Sequence, residues 1–242
     1  MTRIIQLLIA SNLFAAINLN GAELIDDVSI ERLKSMPFKE YDSGYGLWDS
    51  ADIELFVSQD ENFSIGLWKS KAGSEEIDTP YPYNVFFLLK SGEIKTQTVS
   101  GESNKFVSGE GLLIPKGWMG TFEITKDLEA IYFYDGLVET INEPDRDIYS
   151  DARVNYRSDF IMNSMAKKKF NEGENGLQTK EEQTFNNADE SFSLGIWESS
   201  KANIPSDWTY DEFMYVISGQ ILMTDQAGNT SEINPGEGII VP

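Results

Sequence analysis

Hydrophobic residues recur along this chain in short runs, and glycine, proline, asparagine or aspartate residues separate the runs. Clear examples are residues 85–89, 95–99, 111–114 and 130–134, which are either continuously apolar or alternate with polar positions. Short runs of this kind between turn-forming residues are typical of β-strands. Helical spacing is limited to the N-terminal stretch and to residues 159–170. The pattern predicts an all-β protein whose strands form antiparallel sandwiches or barrels.

The sequence also repeats itself. Residues 62–68 (Asn-Phe-Ser-Ile-Gly-Leu-Trp) match residues 191–197 (Ser-Phe-Ser-Leu-Gly-Ile-Trp) at an offset of 129. The Gly-Glu-Gly triplet at 109–111 returns at 236–238, an offset of 127, so a single loop differs by two residues between the repeats. A repeat of this size indicates a duplicated domain. We expect one domain over residues 35–138, a connection over 139–163 and a second domain over 164–242.

The two repeats differ in length. The first continues for 20 residues beyond Pro115, to Asp135, whereas the second reaches only Pro242, which is the counterpart of Pro115. We therefore expect the second domain to lack roughly two strands, as a fragment of a longer protein would. A domain without those strands is expected to be open and to carry an unpaired sheet edge.

The first residues combine Arg3 with a mainly apolar stretch from residue 4 to residue 17. That stretch is too short to span a bilayer, which requires about 20 residues, so we expect no membrane span. We favour a secretory signal peptide over residues 1–22, cleaved after Ala22, which predicts a periplasmic or secreted protein. The alternative is an amphipathic helix that packs on the rest of the chain, in a protein that stays in the cytoplasm.

Composition limits the available chemistry. The 242 residues include no histidine and no cysteine, which excludes zinc or iron sites built on these ligands, thiol nucleophiles, disulfides and imidazole acid–base catalysis. Carboxylates, lysine, tyrosine and hydroxyl side chains remain. The net charge of −21 repels phosphate backbones, so nucleic acid is not an expected partner.

Two spaced motifs identify a resemblance to a family. Glu212 is followed after six residues by Gly219, and Gly109 is followed after five residues by Pro115 and then Gly117. In this order the motifs resemble those of the cupin superfamily, and specifically the tandem cupins related to (S)-ureidoglycine aminohydrolase and to the ethanolamine-utilisation cupins. The resemblance implies two tandem cupin barrels of the double-stranded β-helix, or jelly-roll, type, with the second incomplete.

The same resemblance bears on metal binding. Cupins that bind metal use two histidines one residue apart, the glutamate of the first motif and a histidine after the second motif. At the corresponding positions this sequence has Thr79, Tyr81, Val85 and Gly120 in the first repeat, and Ser206, Trp208 and Glu212 in the second. Glu212 is the one ligand type retained, so we expect no metal and no other cofactor.

Candidate ligand-binding residues follow from strand periodicity. In an extended strand alternate side chains share a face, which places Trp208, Tyr210 and Glu212 together in the second repeat and Tyr81 and Tyr83 together in the first. Either these aromatic side chains form walls for a small organic ligand, or they fill the barrels. For the first barrel we favour filling, and for the second both interpretations stay open.

Other residues have structural interpretations. Trp68 and Trp197 occupy the same place in each repeat, which favours a core or interface position. Asp207 and Asp211 have the opposite parity to Glu212 and are expected to face solvent. Trp118, in the turn after Pro115, is expected at a barrel mouth or an interface.

The sequence thus predicts a metal-free tandem cupin that binds a small organic ligand or has a structural role, with a structural first barrel. The alternative is an enzyme similar to ureidoglycine aminohydrolase, or another small-molecule lyase or isomerase, with its site in the second barrel. Paired barrels with large apolar faces favour a homo-oligomer. Replacement of Glu212 by Gln separates the alternatives, because only an enzyme loses turnover while the barrel stays folded.

Overall fold

The computed structural model describes residues 3–10, 15–19, 25, 28–136, 152–155, 158–172, 177–187, 190–201, 203–206 and 209–242. Over these residues no helix has both the length and the apolar character that a membrane crossing requires. The chain forms two compact units. We call Ile30–Asn155 barrel 1, and Met1–Ser29 together with Tyr156–Pro242 barrel 2.

Two strands lie near the N-terminus, β1 (Arg3–Ala10) and β2 (Ala15–Leu19). Barrel 1 has a 3-10 helix (Ile30–Ser35) followed by β3 (Lys39–Asp42), β4 (Leu47–Val57), β5 (Phe63–Ser70), β6 (Gly73–Ile77), β7 (Asn84–Thr98), β8 (Ser103–Val107), β9 (Glu110–Ile114), β10 (Gly120–Asp135) and β11 (Ala152–Asn155). Barrel 2 continues with α1 (Ser158–Met165), β12 (Asn171–Glu172), β13 (Gln178–Asn186), β14 (Phe192–Ser199), β15 (Asn203–Ser206), β16 (Asp211–Ser218), β17 (Ile221–Thr224), β18 (Thr230–Ile233) and β19 (Gly238–Val241).

Barrel 1 is organised around two long antiparallel strands, β7 and β10. Their pairing shifts register between Ile124 and Ala130, which divides each strand into two ladders. One half of β10 lies between β7 and β5, and the other half lies between β7 and β6. Bulges of this kind bend a strand, so β7 and β10 each contribute to both layers of the barrel. This is why the apolar runs 85–89 and 95–99 belong to one strand instead of two.

Barrel 2 repeats this arrangement with one exchange. Its strands β14, β15, β16 and β17 correspond to β5, β6 and the two halves of β7. The position between β14 and β16, which β10 occupies in barrel 1, is taken by β1, and the position between β15 and β17 is taken by β2. Both N-terminal strands pair in parallel with their neighbours, whereas β10 is antiparallel to its own.

Residues 3–10 and 15–19 are therefore strand, and the prediction of a helix over them is wrong. A short apolar run has no periodicity that separates a buried strand from a helix, and the partners on either side decide. Cleavage of residues 1–22 as a signal peptide stays a prediction.

The duplication is visible in the turns as well as in the sheets. Glu61 and Glu190 occupy equivalent positions and both have positive φ, 56° and 58°. In barrel 1 the amide of Phe63 donates to Ser58 Oγ at 3.0 Å, and in barrel 2 the amide of Phe192 donates to Asn187 Oδ1 at 2.9 Å. Different side chains thus cap the same tight turn in the two repeats.

The strands at the centre of each unit are buried on both faces. Along β7, Val85 and Phe87 belong to the barrel interior, and Phe86 and Leu88 on the opposite face are also fully buried. The same holds at the start of β16, where Asp211 is 4% exposed. The prediction that Asp211 faces solvent is therefore wrong. Alternation along a strand separates its two faces, but it does not show that either face is exposed to solvent. Asp207 lies outside the described residues.

Two further features differ from expectation. Trp118 is fully buried in the core of barrel 1 instead of lining a mouth or an interface. The predicted connection, residues 139–163, contains β11 and most of α1, and α1 ends at Met165 although the helical spacing extended to residue 170.

Candidate ligand-binding cavity

Barrel 1 contains a cavity of about 80 Å³. Its lining is mainly aromatic, with one carboxylate, one serine hydroxyl and two isoleucines. The lining residues are Tyr41, Ser43, Tyr45, Trp48, Trp68, Glu75, Ile77, Tyr81, Tyr83, Phe87, Ile114, Phe122 and Tyr134. They come from the hairpin of β3 and β4, from β5, β6, β7, β9 and β10, and from the loop between β6 and β7. The cavity is thus a feature of the barrel interior, bounded by most of its strands.

Tyr81 and Tyr83 reach this cavity from a loop, because β6 ends at Ile77 and β7 begins at Asn84. The prediction that both belong to a strand is wrong. The loop is held to the turn after β9 by backbone hydrogen bonds: the Tyr81 amide donates to the Trp118 carbonyl at 3.0 Å, and the Gly117 amide donates to the Tyr81 carbonyl at 2.8 Å. This pairing fixes the two tyrosines at the cavity without a sheet ladder.

A cluster of tyrosine rings forms one side of the cavity. The ring centroids of Tyr81 and Tyr83 are 4.9 Å apart, and those of Tyr83 and Tyr134 are 4.8 Å apart, both edge-to-face. Burial raises the pKa of Tyr83, and it raises the pKa values of Tyr81 and Tyr134 well above the usual range. The phenols are therefore neutral at physiological pH and offer hydrogen bonds without charge.

Glu75 supplies the carboxylate of the cavity. Its Oε2 accepts hydrogen bonds from Ser43 Oγ at 2.6 Å and from Trp48 Nε1 at 2.7 Å. Ser43 is itself fixed, because its Oγ accepts a hydrogen bond from the Gly46 amide at 3.1 Å in the hairpin turn between β3 and β4. Glu75 is thus oriented by two side chains that are held by the backbone around them.

The residues predicted in the second repeat lie in barrel 2. Glu212 is 2% exposed in β16, where its backbone pairs with Ile4 and Val241. Tyr210 is half-buried in the loop before β16, and burial, with a smaller contribution from the Glu212 charge, raises its pKa to about 12. Trp208 lies outside the described residues. The structure thus brings Tyr210 near Glu212, while Tyr81 and Tyr83 come together in barrel 1.

The residues present do not fit a metal centre. In barrel 1 the cavity lining contains a single carboxylate, Glu75, and no other anionic ligand. Across the described ranges, no group of three or more aspartate or glutamate side chains converges closely enough to hold a metal ion. One carboxylate among aromatic rings does not make a divalent-cation site, which requires several oxygen ligands.

Comparison with solved structures identifies the fold. A protein with unknown function from Pseudomonas syringae pv. tomato superposes with a TM-score of 0.59 at 14% identity, over 83% of this chain and 79% of its own. A cupin 2 conserved barrel domain protein from Leptotrichia buccalis superposes with a TM-score of 0.51 at 13% identity, over 91% of this chain and 86% of its own. The chain has the cupin fold. At these identities the likeness shows fold alone.

Sequence comparison adds one observation. The family model of the EutQ-like cupin domain matches residues 186–242, within barrel 2 of this cupin-domain protein. No curated protein matches the chain. The match contains Glu212 and Gly219, which form one of the two motifs that carried the resemblance in the sequence.

Most residues that line the cavity of barrel 1 were not predicted from the sequence. Glu75, Tyr45, Trp48 and Tyr134 were not among the candidates. Trp68 packs against the core of barrel 1, as predicted, and it also lines the cavity. Glu75 lies two residues before the buried Ile77 in β6, so the two side chains share a face of the strand. That spacing was the available sequence signal for Glu75.

Proposed function

We propose that this cupin-domain protein binds a small organic molecule inside barrel 1 without the help of a metal ion. The observation that carries the proposal is the aromatic cavity inside barrel 1 with the fixed carboxylate of Glu75. Ligand sites in proteins combine aromatic and apolar walls with placed polar groups, and this cavity combines aromatic rings with phenol hydroxyls, a serine hydroxyl and a carboxylate. The hydroxyls of Tyr81, Tyr83 and Tyr134 add neutral hydrogen-bonding groups along one wall.

The proposed site lies in barrel 1, whereas the sequence predicted that any ligand binds in the second barrel. Barrel 1 is preferred because its lining residues are fixed by hydrogen bonds and surround a defined cavity. The enzymatic alternative, an aminohydrolase-like lyase or isomerase with its site around Glu212 in barrel 2, stays a prediction, and no observation among the described residues favours it over binding.

A cavity-filling variant tests the proposal. We expect at least one compound from a set of small polar fragments to raise the melting temperature of the full chain. At 100-fold excess over Kd the expected rise is roughly 5–10 °C. The rise should disappear in Ile77→Phe, because a larger side chain occupies the cavity, and should persist in Ile221→Phe, the same exchange in the core of barrel 2. The measurement is differential scanning fluorimetry.

Folding of each variant is checked by circular dichroism, and Ile114→Phe, at another lining position, replaces Ile77→Phe if that variant does not fold. Absence of any thermal shift in the wild-type chain contradicts the proposal. So does a shift that Ile77→Phe and Ile114→Phe both leave unchanged.

A further inference from the structure

The electrostatic character of the barrel 1 cavity restricts what it can bind. Its lining contains the Glu75 carboxylate and no lysine or arginine. Glu75 forms no ion pair with the residues that the structure describes, and its recorded hydrogen bonds come from the neutral groups of Ser43 and Trp48. Within the described part of the chain no cation neutralises the formal negative charge of Glu75, and a bound cation would supply the missing partner.

The walls of the barrel 1 cavity also favour a cation. Tyr45, Tyr81, Tyr83, Tyr134, Trp48 and Trp68 surround the cavity, and the faces of such rings carry negative electrostatic potential. Organic cations bind within about 6 Å of ring centroids, most strongly where water is displaced. A chain of net charge −21 also concentrates cations around itself. An anionic ligand would meet Glu75 without a compensating basic group.

The volume limits the size of the ligand. The cavity measures about 80 Å³. A cavity of about 150 Å³ holds benzene, so this space accommodates only the head of a small molecule. The cavity is not closed, so the rest of a ligand of choline's size extends towards solvent.

Building on the proposed function, we propose that the ligand of barrel 1 is a small organic cation with a substituted ammonium group. Its charge lies against Glu75, and its alkyl groups lie against the rings of Tyr81, Trp48 and Trp68. A bare metal ion is disfavoured because aromatic faces replace the oxygen ligands that such an ion requires. An alkylated ammonium group needs few hydrogen-bond acceptors and gains from contact with ring faces.

A pair of isosteric probes tests the charge. Choline and 3,3-dimethylbutan-1-ol have the same shape, and the second lacks the charge. Isothermal titration of the full chain is expected to show choline binding at least 10-fold more tightly than the alcohol. The preference is expected to fall as ionic strength rises, because salt screens the attraction.

A matched pair of variants tests the carboxylate. Glu75→Gln keeps an oxygen that accepts from Ser43 and Trp48 but removes the charge, so we expect choline affinity to fall at least 10-fold and the affinity of the alcohol to stay unchanged. Glu76→Gln removes the same charge from the adjacent exposed residue of β6 and should leave both affinities unchanged.

The failures of the two proposals are distinguishable. Choline that does not bind, that binds no more tightly than the alcohol, or that is equally affected by Glu75→Gln and Glu76→Gln overturns the cation inference. The binding function itself fails only if the thermal shift that depends on Ile77 is also absent.

Discussion

A proline at position 7 is expected to remove most of the amide protection from the sheet of barrel 2. Leu7 lies in the middle of β1, and its backbone pairs with Ile196 of β14 on one side and with Tyr215 of β16 on the other. Proline removes an amide donor from the ladder, and sheets accommodate it essentially only on edge strands or at bulges. Amides of β14 and β16 should then exchange more than about 100-fold faster by hydrogen–deuterium exchange mass spectrometry.

Barrel 1 provides the internal control for this experiment. The strands β5 and β7 correspond to β14 and β16, and their protection should be the same in Leu7→Pro and in the wild-type chain. The intact mass must show that residues 1–22 are retained, which also tests the predicted signal peptide. Unchanged protection of β14 and β16 in a chain that retains these residues would contradict the position of β1.

Replacing Gly66 by alanine is expected to destabilise barrel 1 strongly, by about 2–4 kcal/mol. A Cβ atom at this position would overlap the ring and hydroxyl of Tyr132 and would lie 2.6 Å from the carbonyl oxygen of Ile53. The backbone carbonyl cannot turn aside without breaking the pairing of β4 with β5. The measurement is the change in amide exchange of β5.

The repeat supplies the control, because Gly195 in β14 is the counterpart of Gly66. A Cβ atom there would lie 3.1 Å from the carbonyl oxygen of Glu182, a close contact that small movements relieve. We expect Gly195→Ala to change the stability of barrel 2 by less than about 1 kcal/mol. Equal effects of the two substitutions would mean that the contacts around Gly66 do not explain its presence.

The duplication and the all-β class could be predicted because they depend on local signals. Glycine and proline spacing and short apolar runs indicate strands wherever they occur, and the offset of 129 between residues 62–68 and 191–197 is a property of the sequence itself. The position of β1 could not be predicted in this way. It depends on partners about 190 to 210 residues away, and an apolar run near an N-terminus has the same composition whether it is a signal peptide, a helix or a strand.

Only some of the residues that line the cavity of barrel 1 could be predicted from the sequence. Tyr81 and Tyr83 were chosen by their spacing before Val85, and they do lie together at the cavity although their segment is a loop. Glu75 was missed because a glutamate beside a second glutamate is usually solvated, and parity does not show which face of β6 meets the barrel interior. Tyr45 and Trp48 come from the β3–β4 hairpin, which precedes the motifs that carry the cupin resemblance.

The measurement that tests the central claim most directly is ¹⁹F NMR of the full chain labelled with 3-fluorotyrosine. Tyr81→Phe, Tyr83→Phe and Tyr210→Phe assign the resonances that matter, and the fragment that gives the largest thermal shift is then added to saturation. A ligand inside barrel 1 should move the Tyr81 and Tyr83 resonances and leave Tyr210, in barrel 2, unchanged. A response at Tyr210 with Tyr81 and Tyr83 unmoved would contradict the account and place the ligand beside Glu212.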